Sequence, residues 1–298
     1  MTDPTPAGPA TPNPTSAALS VKFWGVRGST PCPGHRYLRY GGNTSCLEVT
    51  CTDVTPAGKV EHRLILDAGT GLRELGLELA ARGGALDCDL LLTHTHLDHI
   101  GGLPFFGPIY DPKNRFVLWS GHLAPQRTLD RVLHEFMADP VFPVPPSIFP
   151  SRVVYSDFVA GLVFEPRPGV RVVTAPLRHP NRATGYRIEW AGRSVCYVTD
   201  TEHPESGRDP VVVDLVRGAD CMVYDASFTD LEYPRFRGWG HSTWEEAVRI
   251  ADAAGVKTLV VFHHEPSHDD DAMDAIAGDV QRARPGSVVA REGMTLKF

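Results

Sequence analysis

The chain has 298 residues, 42% hydrophobic and 22% charged, the balance of a globular protein in water, and no apolar run approaches the roughly 18 residues of a membrane helix. Its formal net charge of −7 suits long nucleic acid poorly, since that binding rests on Lys and Arg neutralising phosphates, though a local arginine cluster can still serve a small anion. The six cysteines, with no Cys-x-x-Cys pair, read as reduced, mostly buried thiols of a cytoplasmic protein, a structural zinc or redox site being the alternative.

Residues 1–19, MTDPTPAGPATPNPTSAAL, bury too little apolar surface to offset their ordering entropy and read as a disordered tail. They lack the basic-then-apolar order of a secretory signal. Predicted strands then follow at 21–26, 45–51, 62–67, 88–94, 115–120, 170–175, 185–190, 193–200, 220–226 and 256–263. Each is short, rich in Val, Leu, Ile and aromatics, and bounded by turn residues. Helical spacing of apolar residues predicts helices over 71–82, 125–138, 243–255 and 271–284. For the third, Ser242 with Glu245 reads as a capping box and Gly255 as the stop. Strands come in an early and a late group, each followed by helices, and no linker divides 20–298. That order predicts one α/β domain, with two sheets packed together and helices outside.

The densest chemistry is His94-Thr95-His96-Leu97-Asp98-His99, at the end of the predicted strand CDLLLTH. His94 and His96, two apart at a strand end, project to one side. Three imidazoles and a carboxylate in six residues are costly to bury without a cation, and their setting between LLLT and IGGLPFF is apolar. The alternative, a solvated polar loop or a tag, does not match that setting. Imidazole with carboxylate suits zinc, while manganese and iron occupy similar donor sets.

This run resembles the HxHxDH motif of the metallo-β-lactamase superfamily, and the likeness covers almost everything after the tail. It implies a four-layer αββα sandwich and a cofactor of two zinc ions. LILDAGTG looks like the family's first motif, with Asp67 supporting the metal loop. By the same likeness His94, His96 and His179 hold one ion, and Asp98, His99 and His263 the other. Asp200 bridges them, and a water between the ions becomes the nucleophile. For the last ligand the pattern V-K-x-L-x-x-x-H counts to His263, and side-chain alternation turns His264 to the other face.

YDASF and GHST resemble paired motifs of the branch containing tRNase Z and the PhnP phosphodiesterase. There an acidic residue orients a histidine that faces the scissile phosphate. Asp225 and His241 match, with Asp where tRNase Z has Glu, so the pair needs a closer approach or a water; a plain residue at a helix start is the other reading of His241. A protonated imidazole there would help expel an alkoxide. In tRNase Z the arm that grips tRNA lies between the third histidine motif and the bridging aspartate. Here only the hairpin GYRIEWAGRSVCYVTD separates them. The Pro- and Phe-rich stretches PFFGPIYDPKNR and PVFPVPPSIFP read either as a lid over the metals or as a homodimer surface. Arg27, Ser29, Asn43 and Thr44 read either as phosphate contacts or as residues holding the first hairpin. His62, His122 and His134 have no ligand-like neighbours, and His203 and His268 fall in loops or at a helix start.

The reading is a cytoplasmic, zinc-dependent hydrolase with catalytic Asp98, Asp225 and His241, acting on small phosphodiesters such as cyclic nucleotides. The alternatives are an RNA-processing nuclease of tRNase Z type, a β-lactamase or thioester hydrolase, and a non-catalytic metal-containing binding protein.

Overall fold

Alternation along each strand builds the layers. In the third strand Leu64 and Leu66 enter one apolar cluster while Ile65 enters another on the opposite face. The computed structural model, which describes residues 17–55 and 58–298, resolves these clusters into two sheets. The first contains β1 (Ala18–Gly25), β2 (Cys46–Thr55), β3 (Gly58–Leu66), β4 (Asp87–Leu92), β5 (Arg115–Ser120) and β6 (Arg152–Asp157). The second contains β7 (Val163–Arg167), β8 (Val170–Leu177), β9 (Ala183–Trp190), β10 (Arg193–Val198), β11 (Cys221–Asp225), β12 (Thr258–Phe262) and β13 (Val288–Val289). A final strand, β14 (Thr295–Lys297), returns to the first sheet and pairs antiparallel with β1.

The order is β14-β1-β2-β3-β4-β5-β6 in one sheet and β13-β12-β11-β10-β9-β8-β7 in the other. Both are mixed. β3 to β6 and β10 to β13 run parallel, and β4, covered on both faces, is buried from Cys88 onward and ends in three leucines. Phe23, Leu64 and Leu66 of one sheet meet Tyr186, Tyr197, Val260 and Phe262 of the other in the central cluster. α1 (Gly71–Arg82) and α3 (Leu129–Phe136) cover the outer face of the first sheet. α4 (Pro210–Val216) and α5 (Trp244–Ala254) cover that of the second, with α6 (Asp270–Ala283) beside α5. The short α2 (Leu97–Ile100) carries part of the histidine motif. This is the αββα arrangement of the metallo-β-lactamase fold.

Several local expectations change. The stretch read as a tail over 1–19 lies outside the described residues up to 16, but Ala18 and Leu19 open β1, where Leu19 is buried and pairs with Cys51. α5 is capped by Thr243, whose side chain accepts from the Glu246 N–H at 3.0 Å, one residue beyond the predicted Ser242–Glu245 box. Ser242 Oγ instead meets His203 Nδ1 at 2.8 Å. Gly255 does close the helix, left-handed at φ 64°. β6, β7, β13, β14, α2 and α4 were not predicted. The β9–β10 hairpin turns through Ala191 (φ 48°) and Gly192 (φ 76°), the tight primed geometry its length demands.

Candidate metal centre

The parallel strands deliver their functional residues at their carboxyl ends, where successive loops converge. β4 leads into His94, His96, Asp98 and His99, β10 into Asp200, and β12 into His263, while β11 ends in Asp225; the antiparallel β8 leads into His179. Donor atoms of His94, His96 and His179 gather in one group and those of Asp98, His99, Asp200 and His263 in a second. His179 Nε2 is 3.0 Å from His96 Nδ1. Asp200 faces both groups. Its Oδ1 lies 3.7 Å from His94 Nε2 and 3.6 Å from His179 Nε2, and its Oδ2 lies 3.1 Å from His99 Nε2 and 3.3 Å from His263 Nε2.

The donor set fits a cation. Nε2 of His94, His99 and His263 is buried and lacks a hydrogen-bond partner among the described residues, as expected of lone pairs aimed at a metal. Their other ring nitrogens are occupied. His99 Nδ1 donates to Asp67 Oδ2 at 2.8 Å, and His263 Nδ1 meets Ser227 Oγ at 3.0 Å. His179 Nδ1 donates to the Gly240 carbonyl at 2.8 Å. Such outer partners fix ring orientation around a metal. Asp67 also accepts from Thr93 and from the Tyr197 hydroxyl at 2.9 Å, so the first sheet is tied to the second directly behind the site.

Asp67, Asp200 and His263 all sit in the left-handed region, φ 58–62°, each at or just past a strand end. Non-glycine residues take this conformation only where the surroundings compel it. Two glycines make room for the imidazoles. A Cβ on Gly28 would overlap the His263 ring, and one on Gly240 (φ 88°) would strike His179.

Charges in the cluster hold one another. Burial alone would raise Asp98 and Asp200, but the surrounding imidazoles keep both carboxyls well below the usual range. His94 is pushed down by burial and by its neighbouring histidines, which favours the neutral ring a ligand needs. His99 goes the other way: Asp200, Asp98 and Asp67 overcome its burial.

Asp225 and His241 meet directly, Oδ2 to Nδ1 at 2.8 Å, so the shorter acid needs no bridging water. Burial opposes charge on His241, but the Asp225 carboxylate outweighs it and lifts the imidazole to about 9. The ring stacks on His263 at 4.9 Å, and its Nδ1 is 3.8 Å from Asp200 Oδ1. His263 belongs to the centre, whereas His264 is buried elsewhere with Nε2 on the Ala290 carbonyl.

Other expectations move. Arg27 is fully buried, its guanidinium bonded to the carbonyls of Gly41, Glu265 and His268, so it is no phosphate contact. Asn43 and Thr44 are bound to Glu292 and Thr70 and hold the first hairpin. Ser29 alone of that set touches the centre, its backbone N–H donating to Asp98 Oδ2 at 2.8 Å. His122, read as lacking ligand-like neighbours, is buried 6.4 Å from the His94 ring and lines the adjoining cavity. Part of the wall of that cavity, from His122 to Val132, comes from residues between the two Pro- and Phe-rich stretches, and neither stretch lines it. Glu202 was missed. It accepts from Tyr233 OH and from the N–H groups of Gly238 and Gly240 at 2.7–2.9 Å, holding the loop that presents His241. Its only signal was a carboxylate two residues past Asp200, which sequence cannot tell from a solvated one.

A family profile described as "Beta-lactamase superfamily domain" matches residues 62–264. "Ribonuclease Z" of Mycolicibacterium paratuberculosis is 32% identical over 231 residues, 68% of this chain and 76% of that one. Among solved structures, the metallo-beta-lactamase fold protein YhfI from Bacillus subtilis superposes with a TM-score of 0.68 at 17% identity, over 95% of this chain and 100% of its own. A diphosphatase of the PhnP family gives 0.62 at 20% identity, over 94% and 98%.

Proposed function

Because the chain belongs to the beta-lactamase superfamily and is a metal-dependent hydrolase, we propose that it cleaves small phosphodiesters, cyclic nucleotides among them. The observation that carries this reading is the direct Asp225–His241 pair beside Asp200. In the proposed centre His94, His96 and His179 would hold one divalent ion. Asp98, His99 and His263 would hold the other, with Asp200 shared between them. Zinc suits these donors best, and manganese or iron would accept a similar set. Such ions, when bound, supply Lewis-acid polarisation of phosphoryl oxygens and an acidified water.

The chain's own residues supply the rest. Asp225 fixes the His241 ring through Nδ1 and favours the imidazolium. Nε2, with no hydrogen bond among the described residues, then donates a proton to the departing alkoxide oxygen. Asp98, held ionised, accepts the proton of the attacking water. Six free, buried thiols support a reducing, cytoplasmic setting. No helix among the described residues is long and apolar enough to cross a membrane. The exposed Phe105, Val141 and Ile148 support a homodimer surface on the Pro- and Phe-rich stretches.

Metal-loaded protein is expected to hydrolyse bis-p-nitrophenyl phosphate and at least one cyclic nucleotide, and His241→Ala to lower kcat by about 10²–10⁴. No turnover on any of these substrates would sink the reading. A second reading, an RNA-processing nuclease, is supported by the ribonuclease Z relatives. The compact β9–β10 hairpin and the acidic net charge weigh towards small substrates instead. Salt-dependent binding of RNA at low ionic strength would favour the nuclease.

A further inference from the structure

Beside His94, His96 and His179 opens a cavity of about 690 Å³, lined also by Gln126, Arg127 and Arg182. Among the described residues no carboxylate lines it. In a chain of net charge −7, its charged side chains among those residues, apart from imidazoles, are two arginines. Arg127 is tied to Glu135, but Arg182 has no side-chain hydrogen bond or ion pair among the described residues.

The backbone beneath Arg182 is equally unusual. Asn181 (φ 64°) and Arg182 (φ 70°) are successive left-handed residues in the turn that follows His179. Glycine would adopt this conformation without steric cost, whereas a long side chain is strained in it. The turn brings Asn181 Nδ2 to 3.4 Å from His96 Nε2 and sets Arg182 on the cavity wall. A strained turn that retains a free guanidinium, in a cavity without acids and next to three imidazoles, is organised for an anion.

We propose that this cavity is the subsite for a second anionic group of the substrate. The preferred substrate is then a phosphodiester bearing a further phosphate or carboxylate, bound by Arg182 and Arg127 while the scissile group lies at the imidazoles. This rests on the phosphodiesterase reading above and narrows its substrate class. Guanidinium forks bind either oxyanion in bidentate fashion.

Three chromogenic esters test it on the metal-loaded protein. They are thymidine 5′-(p-nitrophenyl phosphate), the same ester phosphorylated at O3′, and the same ester carboxymethylated at O3′. The native protein is expected to favour the phosphorylated ester by about tenfold in kcat/KM, the size of one charge-assisted contact. The preference should collapse in Arg182→Gly, a variant that relieves the left-handed strain and so folds, and weaken in Arg127→Gln. An equal preference for the carboxymethyl ester supports a subsite that reads charge; a preference for phosphate alone supports one that reads phosphate. If the plain ester is cleaved but neither anionic ester is preferred, or the preference survives Arg182→Gly, the subsite is overturned and the phosphodiesterase reading stands. If no ester is cleaved, that reading fails and binding decides. Thymidine 3′,5′-bisphosphate should then raise the Tm of native protein and not of Arg182→Gly, and equal shifts would overturn the subsite.

Discussion

His122 shows how a side chain outside the donor groups still constrains the centre. It is buried between Ser120 Oγ and Thr95 Oγ1, and burial together with the positive neighbours His96 and Arg182 depresses it to about 3. Unfolded, the same ring titrates near its ordinary value, so below that pH the unfolded chain binds the extra proton and the folded chain does not. Stability from this residue is therefore full above pH ~6.5 and lost as the pH falls towards ~3, by about 2 kcal/mol at pH 5. Urea midpoints at pH 5 and 7.5 should differ less in His122→Gln than in the native protein; identical pH dependence in the two would refute the assignment. Gly28 makes the opposite point, since its lack of a side chain is what matters. Gly28→Ala should push the His263 ring away and lower the metal bound per chain in elemental analysis, and undiminished metal content would show that the ring has room to move.

At the scale of elements, α5 sets the position of the loop that carries His241. Its Thr243 cap accepts from Glu246 N–H and donates to Asp230 at 2.7 Å. Thr243→Ala should cost about 1–2 kcal/mol in urea unfolding and speed amide exchange of the Glu246 N–H, whereas Ser242→Ala, which loses its bond to His203 and not a cap, should leave that exchange unchanged. If Ser242→Ala speeds exchange at Glu246 as much as Thr243→Ala does, the cap is misplaced. That one-residue slip shows where sequence stops being informative: Ser242 and Thr243 are both competent caps, and only tertiary contacts choose between them. The inner parallel strands β4, β5, β10, β11 and β12 were legible because burial on both faces enriches them in apolar residues. β6 and β7, half-buried edge strands, carry no such signal. α4 was hidden for another reason. Its Val-Val-Val core has strand propensity, and the helix follows from Asp209 capping Val211 N–H, Pro210 in the first turn and packing on the sheet. The histidine motif announced itself by density, and His179, Asp200 and His263 by their likeness to a known pattern. Glu202 acts through contacts that appear only once distant segments meet.

For the molecule as a whole, the decisive surface is the one between the sheets. Phe262 lies in that core against Phe23 and Tyr197 and immediately precedes His263. Phe262→Ala should cost about 3–5 kcal/mol, and kcat should fall with it even where the variant remains folded. Full activity in a destabilised but folded variant would show that His263 is positioned independently of the core. The donor groups straddle the same boundary. His94, His96, Asp98 and His99 belong to the first half of the chain, and His179, Asp200 and His263 to the second. Anything that binds both sets at once is therefore a fastener between halves as well as a reaction centre. At a hundredfold excess over its dissociation constant such a ligand adds about 2.7 kcal/mol to the docked state. The relation is reciprocal: whatever loosens the seam between the sheets weakens ion affinity by the same factor, so catalytic competence doubles as a gauge of whether the two halves have closed on each other.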